Sequence, residues 1–256
     1  MTNSARILRP PRFLVILSGI IMVSCTGSRE LSRDGYSPSE TDVQAIVRQL
    51  PDYTSRLQTL TGQGRAIVSE PNNTERLKLL FSSSRDRSLV TIRNGLGIEG
   101  GELLTDGDTL LVYNKIDKYA RKIPIREGSL DRINKLASLN ILDIINFSVA
   151  AGSIQKMHEN KTHYQLFLND GVRVFVDKKS LLVREVVQPP DTQLPYSRIQ
   201  YDAYAQLKGF TLPRRITIFG AEQQSKIALQ VGSLELNPEL DTLTINLPDD
   251  IRIYNR

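Results

Sequence analysis

Cys25 carries the most reactive side chain of this protein, and it is the only cysteine among the 256 residues. A thiolate is the strongest nucleophile that a side chain offers near neutral pH, so Cys25 is a candidate for covalent chemistry. One cysteine cannot form an internal disulfide, but a chain of this length can be stabilised by its hydrophobic core alone. The chemistry expected of Cys25 therefore depends on the residues that precede it.

Residues 1–24 have the pattern of a secretory signal. Three arginines and no acidic residue occur among the first twelve residues, and an uncharged, almost wholly apolar run of eleven residues follows from Phe13 to Val23. That run is too short for a membrane-spanning helix, which needs about 20 residues. The tetrapeptide that follows, Met22-Val23-Ser24-Cys25, resembles the lipobox of bacterial lipoproteins.

The resemblance to a lipobox implies that the thiol of Cys25 is diacylated and anchors the chain to a membrane. It divides the chain into a signal peptide over 1–24, a flexible polar tether over 25–38 and a single domain over 39–256. The alternative is an ordinary exported protein whose only cysteine lies beside the cleavage site by chance. Thr26 is not the aspartate that retains some lipoproteins at the inner membrane, so we expect a periplasm-facing anchor at the outer membrane of the cell envelope.

The net charge gives no reason to expect a nucleic-acid partner. Of the 33 basic residues, three lie in the signal, which leaves 30 basic against 28 acidic residues. No run of lysine or arginine and no RNA-binding aromatic motif occurs in the remainder.

Other groups that could catalyse a reaction or bind a metal lack suitably spaced partners. His158 and His163 are the only histidines, and their spacing across a predicted strand end is more typical of solvated residues than of a metal pair. Asp106-Gly107-Asp108 lacks the glutamate of a calcium loop and predicts a hairpin. No zinc-protease, serine-hydrolase or phosphate-loop motif occurs. We therefore predict a protein that is not an enzyme and that has neither cofactor nor metal.

The spacing of apolar residues predicts one helix, then strands, then a helical insertion and more strands. Val43, Ile46, Val47 and Leu50 lie at helical spacing after Ser39, which can cap the helix. From Thr61 onward apolar and polar residues alternate, as in strands joined by hairpins. The alternation stops over about 129–152, where two apolar helical segments are expected, and then returns.

This number of strands exceeds what a flat sheet tolerates, so the sheet should curl strongly. We predict a mainly β (α+β) fold. Its strongly curved antiparallel sheet forms an incomplete β-barrel of about 11 strands, with an N-terminal helix and a helical lid formed by the insertion.

Short sequence matches in a shared order are similar to the LolA/LolB family of lipoprotein-localisation proteins, and to a related family of uncharacterised lipoproteins. They are Leu57-Gln58-Thr59 with Gly62 to Ala66, the segment Val90 to Gly97, and the segment Tyr201 to Leu236. The resemblance implies a protein that binds lipidated cargo and has a periplasmic carrier protein as a partner. It also places Leu96 on the turn leucine that brings cargo into the bilayer in that family.

A curled sheet under an apolar lid would leave a hydrophobic pocket suited to acyl chains, because each buried CH₂ group contributes about 0.8 kcal/mol. Alternation predicts that nine apolar residues line this pocket: Leu77, Leu79, Phe81, Val90, Ile92, Val174 and Val176 from the strands, and Ile144 and Phe147 from the lid.

Two functions remain open at this stage. The first is a membrane-anchored periplasmic lipoprotein that binds acyl chains, lipid or lipidated proteins in lipoprotein or lipid localisation. The alternative is a structural or assembly lipoprotein of the envelope with a filled core, which binds a protein partner. The volume of the pocket discriminates between them. A hydrolase acting on envelope lipids ranks below both, for want of a nucleophile and base.

Overall fold

Alternating apolar and polar residues build most of the described chain into one large sheet. The computed structural model describes residues 35–125, 138–222 and 224–255. The strands before the helical interruption are β1 (Ser37–Pro38), β2 (Thr59–Glu70), β3 (Asn73–Ser84), β4 (Ser88–Arg93), β5 (Glu99–Thr105), β6 (Thr109–Asn114) and β7 (Tyr119–Pro124). The later strands are β8 (Ile154–Glu159), β9 (His163–Leu168), β10 (Arg173–Asp177), β11 (Val183–Val187), β12 (Tyr196–Asp202), β13 (Ala205–Leu207), β14 (Phe210–Leu212), β15 (Arg215–Gly220), β16 (Lys226–Leu236) and β17 (Ile253–Asn255).

The sheet has the strand order β1-β8-β9-β10-β11-β12-β15-β16-β2-β3-β4-β5-β6-β7-β17, and β13 and β14 form a separate hairpin. Neighbouring strands are antiparallel, except that β17 lies parallel to β7. The long pairing of β16 with β2, from Lys226 opposite Ser69 to Leu236 opposite Leu60, joins the early strands to the late ones.

Two short helices and one 3₁₀ turn (Ala151–Ser153) complete the described elements. Helix α1 (Val43–Val47) begins at Asp42, whose side chain accepts a hydrogen bond from the Gln44 amide. Helix α2 (Ile141–Ile145) begins at Asn140, whose side chain accepts from the Leu142 amide. Such side-chain acceptors satisfy amides that have no partner within the helix.

The predicted architecture of an incomplete β-barrel of about 11 strands, with an N-terminal helix and a helical lid, is wrong. The described strands form a large open sheet whose two edges are β1 and β17. The sheet ends at these two short strands, where β1 pairs with β8 and β17 pairs with β7, and among the described residues no pairing joins β1 to β17 to close a barrel.

Both predicted helical regions are much shorter than expected. Helix α1 spans five residues, because Pro51 cannot donate an amide hydrogen and disfavours helical backbone in the residue before it. In the predicted insertion, the described residues contain a helix of five residues, which ends at Asn146 and is followed by an irregular segment. Residues 126–137, which include the first predicted helical segment, lie outside the described residues.

The two faces of the sheet bury separate apolar clusters. The main cluster includes Val90 and Leu103, which lie opposite each other on β4 and β5. The neighbouring pair Leu89 and Leu104 points to the other face and packs in a second, smaller cluster with Ile245. The chain beyond β16 therefore covers part of the second face, which strand alternation alone would leave exposed to water.

Candidate functional site

The structure brings the nine predicted pocket residues together at the main cluster. Seven are buried in it, namely Leu77, Leu79, Phe81, Val90, Ile144, Val174 and Val176. Ile92 and Phe147 are partly buried and pack against it. Cross-strand pairing explains the grouping, since Phe81 lies opposite Val90 and Leu79 lies opposite Ile92.

A small cavity of about 20 Å³ lies beside Phe147, and of the nine predicted residues only Phe147 lines it. A volume of this size accommodates about one water molecule. The ring of Phe147 stacks on that of Tyr201, with centroids 6.1 Å apart and planes inclined by 29°. The site next to Phe147 is therefore closely packed.

Two buried polar groups line the same cavity without a hydrogen-bond partner among the described residues. They are the hydroxyl of Tyr201 and the Nδ2 amide nitrogen of Asn146, and the two residues are 2 % and 5 % exposed. Burial raises the pKa of the Tyr201 hydroxyl well above its usual value of 10.0, so the hydroxyl keeps its proton and can donate a hydrogen bond. Unsatisfied buried polar groups are rare, and each calls for a structural or functional explanation.

Leu96 lies at the tip of the β4–β5 hairpin and is 87 % exposed. The side-chain oxygen of Asn94 accepts hydrogen bonds from the amides of Leu96 and Ile98, at 2.9 and 3.0 Å, and so fixes the turn. Gly97 has φ +87°, a conformation that glycine adopts without strain. The turn therefore presents the leucine side chain outward.

Two further exposed apolar residues, Ile98 and Ile116, extend this tip. They are 58 % and 70 % exposed, and Ile116 belongs to the β6–β7 turn. A methyl group on Gly100, in β5, would lie 3.9 Å from Cδ1 of Ile116, which places this side chain against the base of the β4–β5 hairpin. Ile116 is not among the site residues predicted from the sequence, although an isolated isoleucine between the charged residues Lys115 and Asp117 indicates an exposed apolar side chain.

Ion pairs hold the two hairpins together below the tip. Glu99 accepts from Arg93 at 2.7 Å and from Lys115 at 2.9 Å. The hydrogen bond from Lys115, followed by that from Arg93, holds the pKa of the Glu99 carboxyl below its usual value of 4.5. The base of the tip therefore contains paired charges beneath exposed apolar side chains.

Each of the residues considered as a metal ligand makes a different local contact. His158 packs edge-on against Phe167, and His163 hydrogen-bonds to Thr162. Asp106 accepts from the Thr109 amide at 2.8 Å, which confirms the hairpin predicted there. In the described ranges, no group of three histidine, cysteine, aspartate or glutamate side chains could hold a metal ion.

Cys25, the predicted signal and most of the predicted tether lie outside the described residues. Over the described parts of the chain, no helix combines the length and the apolar character needed to cross a membrane.

No protein-family model matches the sequence, and no curated protein matches it. Solved structures do match. A LolA superfamily protein from Nitrosomonas europaea is 12 % identical, with a TM-score of 0.52, and the match covers 78 % of this chain and 96 % of that one. A domain assigned to outer membrane lipoprotein sorting from Vibrio parahaemolyticus gives the same identity, TM-score and share of this chain, over 92 % of its own length.

A DUF1329 family protein from Desulfovibrio piger is also 12 % identical, with a TM-score of 0.51, over 78 % of this chain and 93 % of that one. At this identity the likeness is one of fold. It confirms the predicted resemblance to the LolA/LolB fold.

Proposed function

We propose that this chain is a periplasmic lipoprotein that binds acyl chains or lipidated cargo in lipoprotein or lipid localisation to the outer membrane. The observation that carries the proposal is a pair of buried groups, on Tyr201 and Asn146, that have no hydrogen-bond partner in the described part of the chain and lie beside an apolar cluster in a LolA-like fold. An acyl ligand would supply a carbonyl oxygen that accepts a hydrogen bond from these groups, and methylene groups that contact the apolar cluster once Phe147 has moved.

The proposed ligand site consists of Leu77, Leu79, Phe81, Val90, Ile92, Ile144, Phe147, Val174 and Val176. The acyl chain enters by displacing Phe147, which is only partly buried, from its contact with Tyr201. The Tyr201 hydroxyl then donates to the ester or carboxyl oxygen of the ligand. Because the cavity is small before binding, affinity depends on how readily Phe147 moves.

The proposed anchor is the diacylated thiol of Cys25, after removal of residues 1–24, with 25–38 as a tether and 39–256 as the binding domain. Replacing Cys25 with alanine should leave an unprocessed or soluble precursor and remove the protein from the detergent-extracted membrane fraction. Two or more acyl chains anchor a protein stably, whereas one does so only marginally, so the loss should be nearly complete. A tightly membrane-bound Cys25→Ala product would contradict the anchor.

The proposed membrane-facing element is Leu96, whose exposed side chain brings cargo into the bilayer. The neighbouring exposed residues Ile98 and Ile116 enlarge the apolar surface available for this step. The proposed partners are lipidated proteins and a periplasmic carrier protein, and the proposed activity involves neither catalysis nor nucleic acid.

The test is binding of a fluorescent fatty acid, together with mass spectrometry of lipids that co-purify with the full chain. We expect the wild-type protein and a Phe147→Leu control to bind the probe. The Phe147→Glu protein should lose binding, because the carboxylate would have to be buried with the acyl chain. A folded Phe147→Glu protein that binds the probe with unchanged affinity would exclude this site.

A second candidate function is supported by the small volume beside Phe147, about 20 Å³. In this alternative the core is filled, and the chain is a structural or assembly lipoprotein that binds a protein partner. It predicts that wild-type protein purifies without lipid and that neither the wild type nor Phe147→Leu binds the fatty-acid probe.

A further inference from the structure

Five polar side chains form a straight row across the face of the sheet opposite the main cluster. Pairing places Arg215 opposite Gln230, Gln230 opposite Arg65, Arg65 opposite Lys78, and Lys78 opposite Arg93, on β15, β16, β2, β3 and β4. Neighbouring strands lie about 4.8 Å apart, so the row is about 19 Å long. We name these five residues the basic row.

Among the described residues, the basic row forms ion pairs at its two ends and none in its middle. Arg93 pairs with Glu99 at 2.7 Å, and Arg215 pairs with Asp202 at 3.3 Å. Within the described ranges, Arg65 and Lys78 form no ion pair, although they lie directly opposite each other. Like charges in directly opposed positions destabilise a sheet, so the arrangement has a cost in the free protein that a bound anion would remove.

The surface around the basic row is a groove with an apolar wall. One cavity of about 410 Å³ is lined by Arg65, Lys78 and Arg93. An adjoining cavity of about 460 Å³ shares Arg65 and Lys78 and adds Ile67, Arg76 and Ala228. Ile67 is 39 % exposed and lies opposite Arg76, which also has no ion pair among the described residues.

We propose that this groove binds the phosphate of an anionic phospholipid headgroup, with Arg65 and Lys78 as the phosphate ligands. An arginine guanidinium can donate two parallel hydrogen bonds to a phosphate, and a lysine ammonium adds a point charge beside it. The exposed side chain of Ile67 next to the cations favours an amphiphile over inorganic phosphate, since it offers contact to the apolar part of a lipid.

This site is distinct from the proposed acyl site, because its side chains point to the opposite face from Leu77 and Leu79. A protein with both sites could hold an acyl chain in its core while its outer face contacts anionic lipid. The two proposals therefore fail independently.

To test the proposal, the full chain in a neutral detergent is titrated with dihexanoyl phosphatidylglycerol, dihexanoyl phosphatidylcholine or inorganic phosphate. Binding is measured by ³¹P NMR. The variant carries Arg65→Gln and Lys78→Gln. The control carries Lys161→Gln and Lys179→Gln, two exposed lysines in other turns, and so has the same net charge.

We expect the wild-type protein and the control to bind phosphatidylglycerol with equal affinity. The affinity of the Arg65/Lys78 variant should be about 30-fold lower, because each basic residue contributes a factor of about five at an anionic lipid surface. Phosphatidylcholine and inorganic phosphate should bind far more weakly, as measured in the Phe147→Glu protein, in which the proposed acyl site does not contribute. The Phe147→Glu protein should bind phosphatidylglycerol as the wild type does.

Equal affinities of the variant and the control would overturn the assignment of Arg65 and Lys78. Equal affinities for the two lipids would exclude recognition of the anionic headgroup. Inorganic phosphate that competes as strongly as the lipid would show that the site takes free phosphate and would overturn the lipid assignment.

Discussion

Gly62 on β2 lies directly opposite Phe81 on β3, and a methyl group at Gly62 would lie 2.7 Å from the Phe81 ring. It would also lie 2.5 Å from the carbonyl oxygen of Ser233 on β16. The absence of a side chain at Gly62 is therefore what allows the Phe81 ring to pack across the central strands of the sheet.

Gly62→Ala should lower the free energy of unfolding by about 1–3 kcal/mol, the usual cost of forcing an extra methyl group into a packed core. Gly95→Ala is the matched control, because no atom lies within 4 Å of a methyl group at that position. Urea unfolding followed by far-ultraviolet circular dichroism measures both. Equal stability of the two variants would contradict the close approach at Gly62.

Leu96→Glu should leave thermal stability almost unaltered, because the leucine side chain is 87 % exposed. The same substitution should impair the insertion of lipidated cargo into liposomes. Gln206→Glu, at an exposed position of the β13–β14 hairpin, is the control for the added charge. If Leu96 merely packs on its own hairpin, stability should fall and any transfer defect should follow it. Normal stability with normal transfer would remove the tip from the mechanism.

Tyr201→Phe should preserve or slightly raise stability, because it removes a buried hydroxyl that has no partner among the described residues. The same change should weaken binding of the fatty-acid probe, since the ligand oxygen loses its donor. Thermal unfolding and probe titration are compared on the same samples. A loss of stability together with unchanged probe binding would assign the hydroxyl a purely structural role.

Glu99 should make stability depend on pH. Because its folded-state pKa is lowered by Lys115 and Arg93, its contribution is fully present above 4.5 and is lost as the pH falls through the lowered value. The contribution should be less than about 1 kcal/mol, since the carboxylate is partly exposed and screened by water. Glu99→Gln should be less stable than wild type in urea at neutral pH, and the difference should vanish in strong acid. A constant difference at every pH would contradict the ion pairs.

Ile245→Asp should detach the segment beyond β16 from the second apolar cluster, where Ile245 packs with Tyr113 and Ala120. The expected loss is about 2–5 kcal/mol, the range for removing a large buried side chain, and the Ile245→Val control should lose about 0.5–1.5 kcal/mol. Hydrogen exchange should accelerate in β7 and β17 and remain slow in β2 and β3. Uniform acceleration across the sheet would show that the two clusters unfold together.

Local patterning in the sequence predicted the features that depend on near neighbours. Alternation put Leu77, Leu79 and Phe81 on one face, because side chains along a strand point to opposite sides in turn. Asp106-Gly107 predicted a hairpin, because aspartate and glycine suit the backbone of a tight turn. The glycines beside Leu96 likewise predicted an exposed turn.

The sequence did not determine how far each helix extends or how the sheet ends. Apolar residues after Asn146 continue a helical pattern, yet the chain is irregular there. The segment beyond Leu236 alternates only weakly, but it covers the second apolar cluster and adds β17 to the edge at β7. These outcomes depend on contacts between distant parts of the chain, which outweigh small local preferences.

The clearest contribution of the tertiary structure is the basic row. Arg65, Lys78 and Arg93 are separated by more than ten residues each, and Arg215 is much farther along the chain. In the sequence each is an ordinary polar residue of an alternating strand. Only the register of β2, β3 and β4, and the pairing of β16 with β2, bring these charges into one line. Register is a property of paired strands, and so the row does not exist until the sheet has formed.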